Sequence, residues 1–260
     1  MRRFLLRGAP DHLEAALDRC HVHATVLGAV EREGEVELWL EEDLRVVGAL
    51  PGVAAVELPV DAREWTGLEA DQAILVAPGL LVRPPWVPAS AGFVGVELVV
   101  PRGDAFGSGE HGSTRAALRV MHALWTGHER SLADIGTGSG ILALYGRARG
   151  VARILACDVD QAAVEAARLL LPGAEVVVGG AERLPGAADF VVANLSGAEL
   201  HDALPAILRA WNRRAALVLS GMRDGEDAAL LPRVGLAPAH REAVDGYRAL
   251  GFVAGPASRA

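Results

Sequence analysis

Residues Asp134 to Gly140 read D-I-G-T-G-S-G, and about 20 residues beyond that turn a second apolar stretch ends in C-D-V-D, Cys157 to Asp160. Glycines without a Cβ let backbone N–H groups come close to a ligand. A carboxylate at Asp158 can accept both hydrogen bonds of a vicinal diol such as a ribose. The spacing discriminates among nucleotide ligands, because a dinucleotide fingerprint needs glycine at 141 and Ile141 stands there, leaving G-x-G-x-G. A second glycine-rich run, G-D-A-F-G-S-G-E-H-G-S-T-R from Gly103 to Arg115, precedes a stretch of good helix formers. A loop of this kind feeding a helix start offers unpaired N–H groups and short hydroxyls to a carboxylate or ligand hydroxyl, and Ser113 and Thr114 are candidate caps. A third candidate, Asn194, ends the apolar stretch in A-N-L.

These groups need a scaffold that brings strand ends together, and the pattern from Pro101 onward supplies one. Strands are predicted at 131–135, 153–159, 174–178, 189–195 and 215–220, as nearly continuous apolar runs typical of buried parallel strands. Helices are predicted between them at 141–149, 161–171, 199–209 and 224–234. The tail from Arg241 to Ala254 places a D-G turn between two strand-like runs, a terminal hairpin. Asn194 then falls at the carboxyl end of a central strand, where ligands of open α/β sheets bind.

Residues 1–60 have their own rhythm: strand, helix (Asp11–Cys20), two strands (Val22–Glu31 and Glu35–Leu40), a second helix over Glu41–Leu50, and a closing strand. That βαββαβ order is ferredoxin-like; small domains of this kind often bind partners, but fold alone assigns no function. Residues 61–100 read as a connector, with a short helix at 61–70, a break at Pro78-Gly79 and the ladder-breaking R-P-P-W-V-P at 83–88; Trp65 and Trp86 are expected to pack it against a domain.

The chain has 260 residues and a formal charge of −8, and all 25 basic residues are arginine. Such acidity speaks against nucleic acid as the main partner and suits a basic one. No apolar run has the length of a membrane span and the amino terminus lacks a signal-peptide layout, so a cytoplasmic location is expected, without a membrane partner. Two cysteines, Cys20 and Cys157, are too few for a disulfide framework or zinc site and are expected as core thiols. His21 and His23, on one face of a predicted strand, have no third ligand in sight, and no metal is expected.

Taken together these residues resemble the PrmA family, methyltransferases of the eleventh large-subunit ribosomal protein. Phe106 to Thr114, F-G-S-G-E-H-G-S-T, is similar to the family's F-G-T-G-x-H-x-T-T loop, with Ser108 and Ser113 keeping the hydroxyls; Asp134–Gly140, Asp158–Asp160, Ala193-Asn194-Leu195 and Leu219-Ser220-Gly221 match its later motifs. The resemblance implies a Rossmann-like class I methyltransferase domain (101–260) with an antiparallel terminal hairpin, a linker (61–100) and a small α+β ferredoxin-like substrate-recognition domain (1–60). It implies S-adenosyl-L-methionine as cofactor and a ribosomal protein at the base of the large-subunit stalk as substrate, methylated on amino groups, lysine side chains or the α-amine. By the same resemblance Thr114, Asp134, Gly136, Gly138, Asp158 and Asn194 are cofactor contacts, and Asn194 is also the candidate catalytic residue, orienting the amine or only touching the cofactor. Gly180 departs from the family, standing where many methyltransferases carry an acid near the adenine, with Glu182 two residues on.

Two other readings stand beside this one: a small-molecule methyltransferase whose first domain covers the cleft, and a cofactor-binding interaction module without turnover. His111 is open between ligand contact and loop structuring. Asp160 is read as a helix cap, and Glu199 and His201 as a solvated helix start, with shaping of the target entrance as the alternative.

Overall fold

A computed structural model of the chain describes residues 2–24, 26–32, 34–40, 43–58, 72–89, 92–101 and 107–254. Two compact units divide it, 1–69 and 70–260. The first contains β1 (Arg2–Gly8), α1 (Pro10–His23), β2 (Val26–Arg32), β3 (Glu35–Leu40), a short 3-10 turn (Leu44–Val47) and β4 (Val53–Leu58). Pro10 stands at the first helical position, where its missing N–H costs nothing. The sheet order is β2-β3-β1-β4, with β3 antiparallel to both β1 and β2. β1 and β2 therefore run parallel with β3 between them, the split βαβ arrangement of a ferredoxin-like sheet. Phe4, Leu6, Val36, Leu38 and Leu40 alternate inward onto Leu13, Ala16 and Cys20 of α1.

Two expectations for this unit change. The helix over Glu41–Leu50 is reduced to the turn at Leu44–Val47, which Asp43 starts by accepting the Arg45 N–H and Gly48 ends at a φ of 81°. Only Leu44 and Val47 of it are buried, too narrow a stripe to sustain a longer helix. His21 and His23 fall in the last turn of α1 rather than on a strand. Among the described residues no group of three or more metal-ligating side chains occurs.

The second unit begins inside the stretch read as a connector. β5 (Ile74–Ala77), β6 (Leu80–Arg83) and β7 (Val96–Val99) form a three-stranded sheet, with Pro78-Gly79 as the turn of its hairpin. Val76, Leu80, Val82, Leu98 and Val100 bury themselves in the core of this unit. Trp86 is 54% exposed, whereas Trp65 lies outside the described residues, as does the helix expected at 61–70. Arg83 braces the ladder-breaking segment, pairing with Glu97 at 2.8 Å and donating to the Val87 carbonyl.

The main sheet has the order β10-β9-β8-β11-β12-β14-β13. Its strands are β8 (Ser131–Ile135), β9 (Arg153–Asp158), β10 (Glu175–Val178), β11 (Phe190–Asn194), β12 (Ala216–Arg223), β13 (His240–Val244) and β14 (Tyr247–Val253). Helix α2 (Gly112–Leu124) leads into β8, and α3 (Ile141–Ala148), α4 (Gln161–Leu170), α5 (Gly197–Ala210) and α6 (Asp227–Val234) lie between later strands. Alternate residues serve opposite faces: Leu132, Val192 and Val218 pack with α2 and α3, while Ala133, Val191 and Leu217 pack with α5 and α6. β14 inserts antiparallel between β12 and β13, its hairpin closed by Asp245 and Gly246, both at positive φ. β8 and β11 adjoin although β9 and β10 intervene in sequence. The crevice at their carboxyl ends is the switch point of the sheet.

Candidate active site

β8 ends at Ile135, and the chain turns back through Gly136, Gly138 and Gly140, all at positive φ. At Gly136 (φ 70°) an added Cβ would also collide with the Leu195 side chain. The N–H groups of Gly136 and Thr137 both donate to the Cys157 carbonyl, at 2.9 and 3.0 Å, which ties the turn to the end of β9. Asp158 then accepts the Gly138 N–H with one carboxylate oxygen (2.9 Å) and the Asp160 N–H with the other (3.0 Å). Each oxygen keeps a further lone pair for a ligand hydroxyl.

Asp134 takes a different place from the one expected. It is fully buried beneath the turn, where one oxygen accepts from the Thr137 hydroxyl (2.8 Å) and from the Ala143 N–H (3.1 Å) in the first turn of α3. Burial, and secondarily the Asp158 charge, push its pKa up to about 7. Its role is to hold the turn. Thr114 is likewise fully buried, in the first turn of α2, and its hydroxyl accepts from the Asn194 side-chain NH₂ at 3.4 Å. The other half of that amide, Asn194 Oδ1, is buried without a hydrogen-bond partner. An unpaired buried acceptor is costly unless something else meets it.

Gly136, Gly138, Asp158 and Asn194 are brought together as walls of one cleft of about 400 Å³, which Val159, Gly180, Glu182 and Glu199 also line. Thr114 and Asp134 stand behind those walls. Glu182 turns back to accept the Gly180 N–H (3.1 Å), so a carboxylate does reach the end of the cleft where the glycine departs from expectation. At the far side, Leu195 N–H donates to the Ser220 carbonyl, and Gly221 (φ 99°) admits this close approach, since a Cβ there would strike the Leu195 backbone.

The flanking polar residues sort by their partners. Asp160 caps α4 through the Ala162 N–H, as read from sequence. Glu199 completes a capping box with Ser196 at the start of α5 while lining the cleft. Ser113 and Thr114 do not cap α2; His111 does, accepting the Ser113 N–H on its ring. Of the two readings the sequence left open for His111, this contact is the loop-structuring one. Cys157 is buried and its thiol is pushed up to about 12 by desolvation, and the Cys20 thiol is raised for the same reason. Both are core thiols.

A seven-stranded sheet with one antiparallel insertion, a glycine turn after its first strand and an acid after its second define the class I methyltransferase fold. The family described as ribosomal protein L11 methyltransferase (PrmA) matches residues 64–230. This chain belongs to that family, which implies S-adenosylmethionine as methyl donor. The ribosomal protein L11 methyltransferase of Thiobacillus denitrificans is 33% identical over 234 residues, 84% of this chain and 73% of the relative. That of Lacticaseibacillus paracasei is 31% identical over 221 residues (79% and 69%), and that of Geotalea uraniireducens 29% over 189 residues (66% and 59%). The matched stretch thus spans between somewhat under two thirds and about three quarters of these relatives' own lengths. The crystal structure of the ribosomal protein L11 methylase from Lactobacillus delbrueckii subsp. bulgaricus shares the fold, with a TM-score of 0.55 at 22% identity, covering 69% of this chain and 96% of that one.

Proposed function

We propose that this chain transfers methyl groups from S-adenosyl-L-methionine to amino groups of ribosomal protein L11, lysine side chains or the α-amine. The observation that carries this reading is the unpaired, buried Asn194 Oδ1 at the carboxyl end of β11, in the same cleft as the glycine turn and Asp158. The residues fit the cofactor: Gly136 and Gly138 line the cleft with bare backbone at positive φ, and Asp158 has spare lone pairs for a ribose diol. Gly136, Gly138, Asp158 and Asn194 would hold it. When bound, S-adenosylmethionine supplies a methyl group already activated by its sulfonium, so the protein's task is alignment.

A free lysine amine has a pKa of about 10.4 and must shed its proton before its lone pair can attack. Asn194 Oδ1 then accepts one of the remaining N–H groups and thereby fixes the direction of the lone pair. Thr114, through the Asn194 NH₂, keeps the acceptor end of the amide turned the right way. Residues 1–60 are the recognition domain in this reading, and the catalytic unit takes in β5–β7 of the stretch 61–100 together with residues 101–260. The chain's net charge of −8 suits a lysine-bearing target. Incubation with labelled methyl donor and hypomethylated L11, followed by mass mapping, tests the proposal. Label on lysines or the amino terminus supports it, and label passing only to small amines overturns it.

A further inference from the structure

Resting on the methyltransferase reading, we propose that His111 is a positioning residue of this site: its ring caps helix α2 and so holds Thr114 against the Asn194 amide. Helix α2 starts at Gly112, and the first N–H groups of any helix have no partner inside it. His111 is extended (φ −65°, ψ 138°), with its Nδ1 3.3 Å from the Ser113 nitrogen and 2.8 Å from the Ser113 hydroxyl oxygen. An N–H can be donated to Nδ1 only if that nitrogen carries a lone pair, so the imidazole proton of the capping form sits on Nε2. Asn, Asp and Ser are the usual caps; histidine does the same work here because the ring is held in place.

That hold comes from the carboxy-terminal hairpin. Tyr247 of β14 lies against the His111 ring with centroids 4.4 Å apart, and the Arg223 guanidinium covers the Tyr247 ring at 4.1 Å. Arg115 pairs with Asp245 in the hairpin turn and donates to the Glu110 carbonyl at 3.0 Å. Gly112 packs so closely on the hairpin that a Cβ there would come within 2.6 Å of the Val244 carbonyl oxygen. From below, the Ser220 hydroxyl donates to the Ser113 carbonyl at 2.8 Å. The first turn of α2 is thus gripped on three sides. Burial, followed by the charges of Arg223 and Arg115, lowers the His111 pKa against the weaker opposite pull of Asp245, which favours the neutral, capping ring.

Thr114 follows Ser113 directly, and its hydroxyl is the partner of the Asn194 NH₂. That contact decides which end of the amide is left unpaired. Without the cap the first turn frays, Thr114 withdraws, and the amide can rotate to offer NH₂ where an incoming amine needs an acceptor.

The test compares the full chain with His111→Asn, His111→Ala, Thr114→Val and the His111→Ala/Thr114→Val double variant. S-adenosylmethionine affinity is read by calorimetry, methyl transfer in single turnovers, and folding by melting temperature. His111→Asn, a good cap that moves no proton at neutral pH, is expected to stay within about twofold of the parent in both affinity and rate. His111→Ala is expected to weaken cofactor binding by about 3- to 10-fold and to slow transfer by more than that. Added to Thr114→Val, it should cause no further loss of rate. Equal losses in His111→Asn and His111→Ala overturn the capping role in favour of direct ligand contact or proton transfer. Losses that multiply in the double variant overturn the link to Thr114. A parent chain that gives no heat with S-adenosylmethionine overturns the methyltransferase reading itself, and this inference with it.

Discussion

Asp158→Ala tests the cofactor side of the site at a residue whose structural and ligand duties can be separated. Its two carboxylate oxygens accept the Gly138 N–H at 2.9 Å and the Asp160 N–H at 3.0 Å, both backbone groups near the cleft surface. Water can replace those two bonds when the carboxylate is removed, so the fold should survive. What water cannot replace is the pair of preoriented, charged acceptors for a ribose diol. A hydrogen bond to a charged group contributes about 1.5–3 kcal/mol, so affinity for S-adenosylmethionine should fall roughly 10- to 150-fold. Asp158→Asn should do nearly as badly, because its NH₂ must face one of two backbone donors. The assay is calorimetry with S-adenosylmethionine, its 2′-deoxyribose analogue and a nicotinamide dinucleotide. The parent chain should prefer the intact ribose, and Asp158→Ala should bind the two adenosyl compounds within about twofold of each other once the diol acceptor is gone. Retained preference in Asp158→Ala would refute the diol contact, and tight dinucleotide binding with no heat from S-adenosylmethionine would refute the choice of cofactor.

Asn194→Ala should depress single-turnover methyl transfer by more than it weakens cofactor binding, since orientation of the amine matters mainly in the transition state; equal losses would leave Asn194 a cofactor contact only. Asp134 has a folded pKa raised to about 7, so at higher pH its buried charge is borne by the folded chain. Stability from this group is fully present below the unfolded pKa of about 3.9 and is lost progressively as pH rises from there to about 7. Asp134→Asn should therefore melt higher relative to the parent at pH 8.5 than at pH 5.5, by about 1–2 kcal/mol, and a pH-independent difference would argue against a raised pKa. A chain beginning at Asp61 should keep cofactor affinity while losing methylation of L11, because binding energy from a remote domain governs capture of the target. Equal activity of short and full-length chains on L11 would exclude the recruitment role.

Much of the catalytic unit was legible because its signals are local. A buried parallel strand must be apolar along its length, and the strand predicted at Ser131–Ile135 matches β8 residue for residue. The turn after it needs positive φ, so glycines mark it, and the D-G pair marks the hairpin turn at Asp245-Gly246 for the same reason. Weak local signals misled. Pro78 and the R-P-P-W-V-P segment suggested a connector, yet short runs such as Leu80–Val82 pay for their order by burial in a core that sequence does not display. The reverse holds at Leu44–Val47, where helical propensity found too little surface to cover.

By itself, then, the sequence determined the period of each element, the bends between them, and which residue types stand at strand ends. Partner choice was decided by the tertiary structure. Asp134 and Asp158 are both acids at a glycine turn, but a one-residue difference from the strand end sends the first into the core and leaves the second at the cleft. Thr114 and Asn194 lie 80 positions apart and meet only because α2 packs across the ends of β11 and β12. His111 becomes a cap because a hairpin more than 130 residues later lays Tyr247 against it. Backbone conformation is set by sterics within a few residues, whereas a side chain's hydrogen-bond partner is set by which distant strands the sheet makes neighbours.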